Sequence, residues 1–193
     1  MSWVIMTSSV RVIDNFLAAE SHQKMASYLR GPGWAYGSYS DPSPGAPRYW
    51  YKHFAGLVNS AAEDASVGTI EGELANAPPI AAMWAAIRAN VLPEHELLRC
   101  YANGYPYGAD GGVHLDADVP GHVTALYFGH ARWEPNWGGE TVFFDSERQD
   151  VVATAYARPN RLVVFPGDLP HVARGVSRIC PELRITLMFK ARA

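Results

Sequence analysis

His114 and Asp116 stand two residues apart in the segment Gly112-Val113-His114-Leu115-Asp116. On a strand, side chains two apart share a face, so this imidazole and this carboxylate can meet one ion from one strand end. An isolated His-x-Asp pair is common, and by default it is a hydrogen-bonded pair. A third ligand changes that reading. His171 closes the run Phe165-Pro166-Gly167-Asp168-Leu169-Pro170-His171, where a turn delivers it to the start of a strand. Two imidazoles and one carboxylate cap one face of an octahedral ion and leave three positions open. An open site of this kind does chemistry, whereas a closed four-ligand site holds structure.

In non-haem Fe(II) oxygenases the open positions of such a facial site take a bidentate co-substrate and dioxygen. Other residues fit an anionic co-substrate. Arg184 and Thr186 open the last strand and share a face; a guanidinium fork matches a carboxylate and a hydroxyl adds a further hydrogen bond. Tyr127, in Val123-Thr124-Ala125-Leu126-Tyr127-Phe128, offers a phenol to the same carboxylate. Gly138-Gly139-Glu140-Thr141 makes a tight turn into a strand. Arg158–Pro166 is a turn followed by an apolar strand that feeds His171.

The elements that must position these groups fall into two halves. In the first, Val10–Ile13, Trp34–Tyr39 and Arg48–Phe54 have strand character, and Ser40–Pro47 is a proline-rich loop. Leu17–Leu29 has helical spacing and stops at Gly31-Pro32-Gly33. Pro78 starts a second helix through Asn90, with Ile80, Met83, Trp84 and Ile87 on one face. Ser60–Ala77 has no clear period. In the second half the spacing predicts eight short strands: Glu96–Ala102, Val113–Asp116, His122–Phe128, Glu140–Phe144, Asp150–Tyr156, Arg161–Phe165, His171–Gly175 and Arg184–Lys190. Many short strands between turns predict a mainly β fold, a sandwich, barrel or jelly roll, with flanking helices.

Composition removes other classes. The 193 residues carry 17 Gly and 14 Pro, enough to punctuate that many turns. A net charge of -3 gives no basic field, so no nucleic-acid partner is expected. No apolar run reaches the roughly 18 residues that would span a membrane, and the opening residues lack a secretory pattern. Two cysteines make neither a disulfide framework nor a thiolate cage, so free thiols and a cytoplasmic location are expected.

In chain order, Leu97-Leu98-Arg99-Cys100-Tyr101 with Asn103-Gly104, His114-x-Asp116, Leu126-Tyr127-Phe128, Gly138-Gly139-Glu140, Leu162–Pro166, His171 and Arg184-x-Thr186 resemble the prolyl-4-hydroxylase-like branch of the Fe(II)/2-oxoglutarate-dependent dioxygenases. Val12-Ile13-Asp14-Asn15-Phe16-Leu17 resembles the opening of that branch. The resemblance implies a double-stranded β-helix (jelly-roll) core over residues 96–190 and a support layer over residues 1–95, together one domain spanning 1–193. It implies Fe(II) on His114, Asp116 and His171. It implies O2 and 2-oxoglutarate as co-substrates, with the far carboxylate of 2-oxoglutarate on Arg184, assisted by Tyr127. Tyr101 would line that pocket, with Tyr105 and Tyr107 as alternatives, and Thr186 would help. Three features depart from the branch: the Gly108–Gly112 loop before His114 is longer than in many relatives, which leaves Tyr101, Tyr105 and Tyr107 as alternatives; Gly129-His130 stands where Leu-Asn is commoner; and the His171–Arg184 interval is slightly long, with Arg174 and Arg178 as nearby competitors.

The implied activity is hydroxylation of an unactivated C–H in a small molecule or peptide, with release of succinate and CO2. The retained Asp116 favours hydroxylation over halogenation. A protein prolyl or other residue is the alternative substrate. A non-catalytic, cupin-like metal- or carbohydrate-binding jelly roll is the alternative of another class, and it would have no need of Arg184 with Thr186. His53, His122 and His130 are further ligands on paper; His22 and His95 read as surface or cap residues. Asp118 reads as a rim carboxylate. The aromatics of Arg48–Phe54 serve packing or line a substrate pocket, and Trp133 and Trp137 anchor a loop or form a lid.

Overall fold

The computed structural model describes residues 4–7, 9–40, 44–57 and 70–193. Its strands are β1 (Val4–Thr7), β2 (Val10–Ile13), β3 (Ala35–Ser38), β4 (Tyr49–Ala55), β5 (Glu96–Tyr105), β6 (His122–Phe128), β7 (Thr141–Phe144), β8 (Val151–Ala155), β9 (Leu162–Pro166), β10 (His171–Ala173) and β11 (Arg184–Arg192). The helices are α1 (Ala19–Arg30) and α2 (Pro78–Asn90), preceded by a 3-10 turn at Ile70–Asn76. The rest of the aperiodic stretch, residues 60–69, lies outside the described residues, as do residues 41–43 of the proline-rich loop.

The strands form two antiparallel sheets. The larger has the order β1-β2-β9-β6-β11-β5-β4-β3, and the smaller has the order β10-β7-β8. Helix α2 begins where Pro78 occupies its first turn, since a missing amide hydrogen costs nothing there. Its buried residues Ile80, Met83, Trp84 and Ile87 recur at helical spacing and lie against the outer face of the large sheet. In α1 the buried face is His22, Met25, Ala26 and Leu29. His22 is therefore an interior residue, not the surface or cap group expected from the sequence.

Two apolar clusters follow. One joins the helices to Cys100, Ala102, Ala125, Tyr127, Ile185, Leu187 and Phe189 on the outer face of the sheet. The other fills the space between the sheets with Tyr105, Leu126, Phe128, Phe143, Phe165 and Met188. Strand β11 contributes to both: Ile185, Leu187 and Phe189 face outward, and Thr186 and Met188 face the inter-sheet space. This is the expected mainly β jelly roll with flanking helices.

Three differences from the sequence reading have clear causes. The N-terminal strands are not a separate layer, because β2 pairs with β9 and β4 with β5 in the large sheet. Strands β5 and β11 outrun their expected ends, since they pair with each other over nearly their whole lengths. The expected strand Val113–Asp116 is reduced to one bridge, His114 to His171. Its neighbours bond elsewhere: the Gly111 amide donates to the Ala173 carbonyl, and the Asp116 and Ala117 amides both donate to the Gly167 carbonyl.

Candidate functional site

That single bridge places the two imidazoles. The His114 and His171 amides each donate to the other's carbonyl at 3.0 Å, and the rings lie 4.4 Å apart between centroids. Asp116 follows on the same side. Its Oδ1 is 3.4 Å from His114 Nε2, and its Oδ2 is 3.5 Å from His171 Nε2. Among the described residues, these three form the group whose ligand atoms gather within 4.8 Å of one another.

The orientation of each ring is set by its own backbone. His114 Nδ1 lies 2.9 Å from the Gly112 carbonyl and His171 Nδ1 lies 2.9 Å from the Leu169 carbonyl. A carbonyl only accepts, so in both rings Nδ1 carries the proton and Nε2 keeps its lone pair. A metal-binding imidazole uses this arrangement, with one nitrogen tethered and the other free to coordinate. Burial lowers the His171 pKa to about 4, although the Asp116 charge works the other way. The ring is then neutral at neutral pH, the form that ligates. Burial alone would raise the Asp116 carboxyl, but Lys190 and the two imidazoles hold it well below the usual range. Two imidazoles and a carboxylate suit a divalent transition metal.

Asp116 is gripped from beneath. Thr124 Oγ1 of β6 donates to its Oδ2 at 2.6 Å, and the ammonium of Lys190 from β11 lies against the same oxygen. Neither residue stands out in the sequence as a site residue. Alternation along β11 already placed Lys190 on the face of Arg184 and Thr186, and that was the available signal.

A cavity of about 670 Å³ runs inward from these three residues and is lined by Tyr101, Tyr105, Thr141, Arg184 and Thr186. Arg184 is 1% exposed. Its Nε donates to the Gly139 carbonyl at 2.5 Å and its Nη2 to Thr141 Oγ1 at 3.0 Å. The rings of Tyr105 and Phe128 flank its guanidinium. Among the described residues no carboxylate pairs with it. Burial pulls its pKa down to about 10, which leaves it charged. Arg174 and Arg178 are exposed and do not line this cavity. The Gly138-Gly139 turn also finds its use here. Gly139 adopts φ 78°, and a Cβ on it would stand 3.0 Å from Arg184 Cδ.

Tyr127 is the correction. It faces the helices, where its hydroxyl donates to Asn160 Oδ1 at 3.1 Å and lies 2.7 Å from His22 Nδ1. On β6 it is Thr124, Leu126 and Phe128 that look into the inter-sheet space. Tyr127 has the opposite parity, so its phenol cannot reach the cavity. Phe128 is the β6 aromatic beside Arg184, and it brings no hydroxyl. Of the three alternatives, Tyr101 and Tyr105 on β5 line the cavity, and Tyr107, past the end of β5, is 60% exposed outside it.

The remaining histidines stand apart from the cluster. His53 and His122 line the outer cavity. His130 is buried behind it, stacked on Trp133, with its Nε2 accepting from the Ile185 amide at 2.9 Å. Trp133 and Trp137 are buried and pack edge to face, so they anchor their loop and form no lid. Asn103, 8% exposed, also lines the cavity, and its Oδ1 has no hydrogen-bond partner among the described residues.

Known structures share this architecture. A prolyl-4-hydroxylase from Pseudomonas putida superposes with TM-score 0.61 at 20% identity, covering 96% of this chain and 93% of that one. A prolyl hydroxylase from Trichoplax adhaerens, in complex with a peptide fragment of hypoxia inducible factor, gives 0.64 at 16% identity, covering 96% and 84%. HygX from Streptomyces hygroscopicus, with nickel, 2-oxoglutarate and hygromycin B bound, gives 0.57 at 15% identity, covering 96% and 83%. The chain therefore has the jelly-roll fold found in 2-oxoglutarate/Fe(II) oxygenases. No model of a protein family matches it, and no curated protein matches it in sequence.

Proposed function

We propose that the protein is an Fe(II)- and 2-oxoglutarate-dependent oxygenase of the hydroxylase type. The observation that carries this reading is Arg184: a fully buried guanidinium, without a carboxylate partner among the described residues, on the wall of the cavity that holds the His-Asp-His group. A buried cation is costly unless an anion joins it. A dicarboxylate that meets the metal at one end and Arg184 at the other satisfies both. A cupin-like binding protein would have no use for such an anchor.

His114, Asp116 and His171 are assigned as the Fe(II) ligands. Bound there, Fe(II) would supply oxidative decarboxylation of 2-oxoglutarate coupled to hydroxylation, releasing succinate and CO2. The chain's own groups do the rest. Arg184 and Thr186 hold the far carboxylate, and Tyr101 and Tyr105 shape the pocket between it and the ligands. The Gly112 and Leu169 carbonyls keep both imidazoles aimed. The aromatic walls between the sheets keep bulk water from the reacting centre, and the outer cavity orients the C–H bond.

The substrate class is a small molecule or a short peptide. The cavity is open at its outer end beside Leu57, Leu115 and Val119, all exposed apolar side chains. The structurally similar proteins include one in complex with a peptide fragment and one with hygromycin B bound, so both kinds of ligand suit this fold. The test is spectroscopic. Anaerobic addition of Fe(II) and 2-oxoglutarate to the folded protein should produce a weak visible charge-transfer band, followed in air by slow succinate release. A protein that takes up metal and gives neither band nor succinate is not this enzyme.

A further inference from the structure

We propose that Lys190 is a positioning residue: it commits Asp116 to one-oxygen ligation and, through its charge, sets how tightly the site takes a divalent cation. The proposal rests on the metal reading above and adds a determinant that the three ligands do not contain.

The two oxygens of Asp116 are treated differently. Oδ2 receives two donors, the Lys190 ammonium and the Thr124 hydroxyl at 2.6 Å. Lys190 Nζ is itself 3.2 Å from Thr124 Oγ1, so the three groups close on one another. Each oxygen also faces one imidazole, Oδ1 at 3.4 Å from His114 Nε2 and Oδ2 at 3.5 Å from His171 Nε2, but among the described residues no ammonium or hydroxyl donor reaches Oδ1. A carboxylate oxygen already holding two donors is a poor metal ligand, so Oδ1 is the oxygen left for the ion. One-oxygen ligation preserves the open positions that a bidentate carboxylate would reduce.

Among the described residues the ammonium lies against Asp116 and Thr124. Lys190 is 3% exposed, and β-sheet register sets it opposite Thr124 on β6 and Arg99 on β5. A buried lysine is rare without a partner, and here the partner is a proposed metal ligand. Two effects on the metal then oppose each other. The lysine orients the carboxylate, which helps binding. Its charge also weakens the carboxylate as a donor and repels a divalent ion across a water-poor site, which hinders binding. Thr124 alone can maintain the orientation, whereas repulsion between a unit charge and a doubly charged ion is large at low dielectric. Charge is the stronger of the two effects, so Lys190 loosens the site and leaves it more positive toward an incoming dianion.

The experiment is an anaerobic titration with Mn(II), which needs no turnover. It compares the unchanged chain with K190M, K190Q, K190R and H114A by calorimetry and by the electron paramagnetic resonance of free Mn(II). The neutral variants should bind Mn(II) about tenfold or more tightly than the unchanged chain, and K190R should stay within about threefold of it. H114A should bind none at this site. Without metal, K190M should unfold at a lower temperature than the unchanged chain, because Asp116 has lost its cation. It should gain more on Mn(II) addition, as tighter binding to the folded state requires. Equal or weaker Mn(II) binding by both neutral variants would overturn the role of Lys190 alone. Absence of His114-dependent binding in the unchanged chain would overturn the metal site together with it.

Discussion

His114 and His171, 57 positions apart in the chain, are joined by a reciprocal pair of backbone hydrogen bonds, each 3.0 Å long. No side-chain atom takes part in that link. His114→Ala and His171→Ala should therefore keep the fold, with circular dichroism unchanged. Both should lose 2-oxoglutarate-dependent succinate formation by more than about 100-fold, since a missing ligand costs more than a missing supporting contact. Activity near the starting level in either variant would remove that residue from the metal site.

Arg184 should govern the co-substrate. Arg184→Lys keeps the charge and loses the fork, so the 2-oxoglutarate concentration for half-maximal rate should rise about tenfold or more. Arg178→Ala, at an exposed position, should leave it unchanged. Gly139→Ala should imitate Arg184→Lys in part, because the added methyl meets Arg184 Cδ and the backbone is strained at φ 78°. Steady-state kinetics in 2-oxoglutarate decides the matter. A larger rise in Arg178→Ala than in Arg184→Lys would move the anchor.

Tyr127 should matter to stability and not to the co-substrate. Tyr127→Phe removes a hydroxyl from buried contacts with Asn160 and His22. The loss should be roughly 1–3 kcal/mol in urea unfolding, the cost of leaving a buried polar group without its partner. The apparent 2-oxoglutarate affinity should not move. A selective loss of that affinity at undiminished stability would restore the phenol to the pocket.

His130 should give the fold an acid-sensitive limb. Burial, aided by the Arg184 charge, drops its pKa well below 6.5. The unfolded chain takes up this proton near pH 6.5 and the folded chain does not. Below that pH the unfolded state binds more protons, so stability falls as pH falls. His22, also lowered by burial, acts in the same direction. His130→Gln keeps an acceptor for the Ile185 amide and removes one titration. Its urea midpoint should fall less between pH 7 and pH 5 than that of the unchanged chain. Parallel curves would show that His130 does not carry the effect.

The nearness of His114 to Asp116, the second helix and the shared face of Arg184 and Thr186 are legible because each rests on a local period. Helix α2 announces itself by Pro78 and by apolar residues at helical spacing, and its observed bounds match the expected ones. The bridge at His114 was overread as a strand, because the His-x-Asp spacing looks the same in an irregular segment held by one pair of backbone bonds. His22 was misplaced because a polar residue on a helix is read as exposed. Here Tyr127 supplies its partner from a strand 105 residues away.

By itself, the sequence determined which side chains alternate together: His114 with Asp116, Thr124 with Leu126 and Phe128, Arg184 with Thr186 and Lys190. It did not determine which face of β6 looks into the cavity. That strand is buried on both sides, by the helices and by the second sheet, so no polar face marks its direction. Tertiary packing decided that Tyr127 lies under the helices and Phe128 beside Arg184. It also decided that Lys190 meets Asp116, through a β11–β6 register that brings Lys190 opposite Thr124. Register between distant strands depends on contacts that no local pattern records.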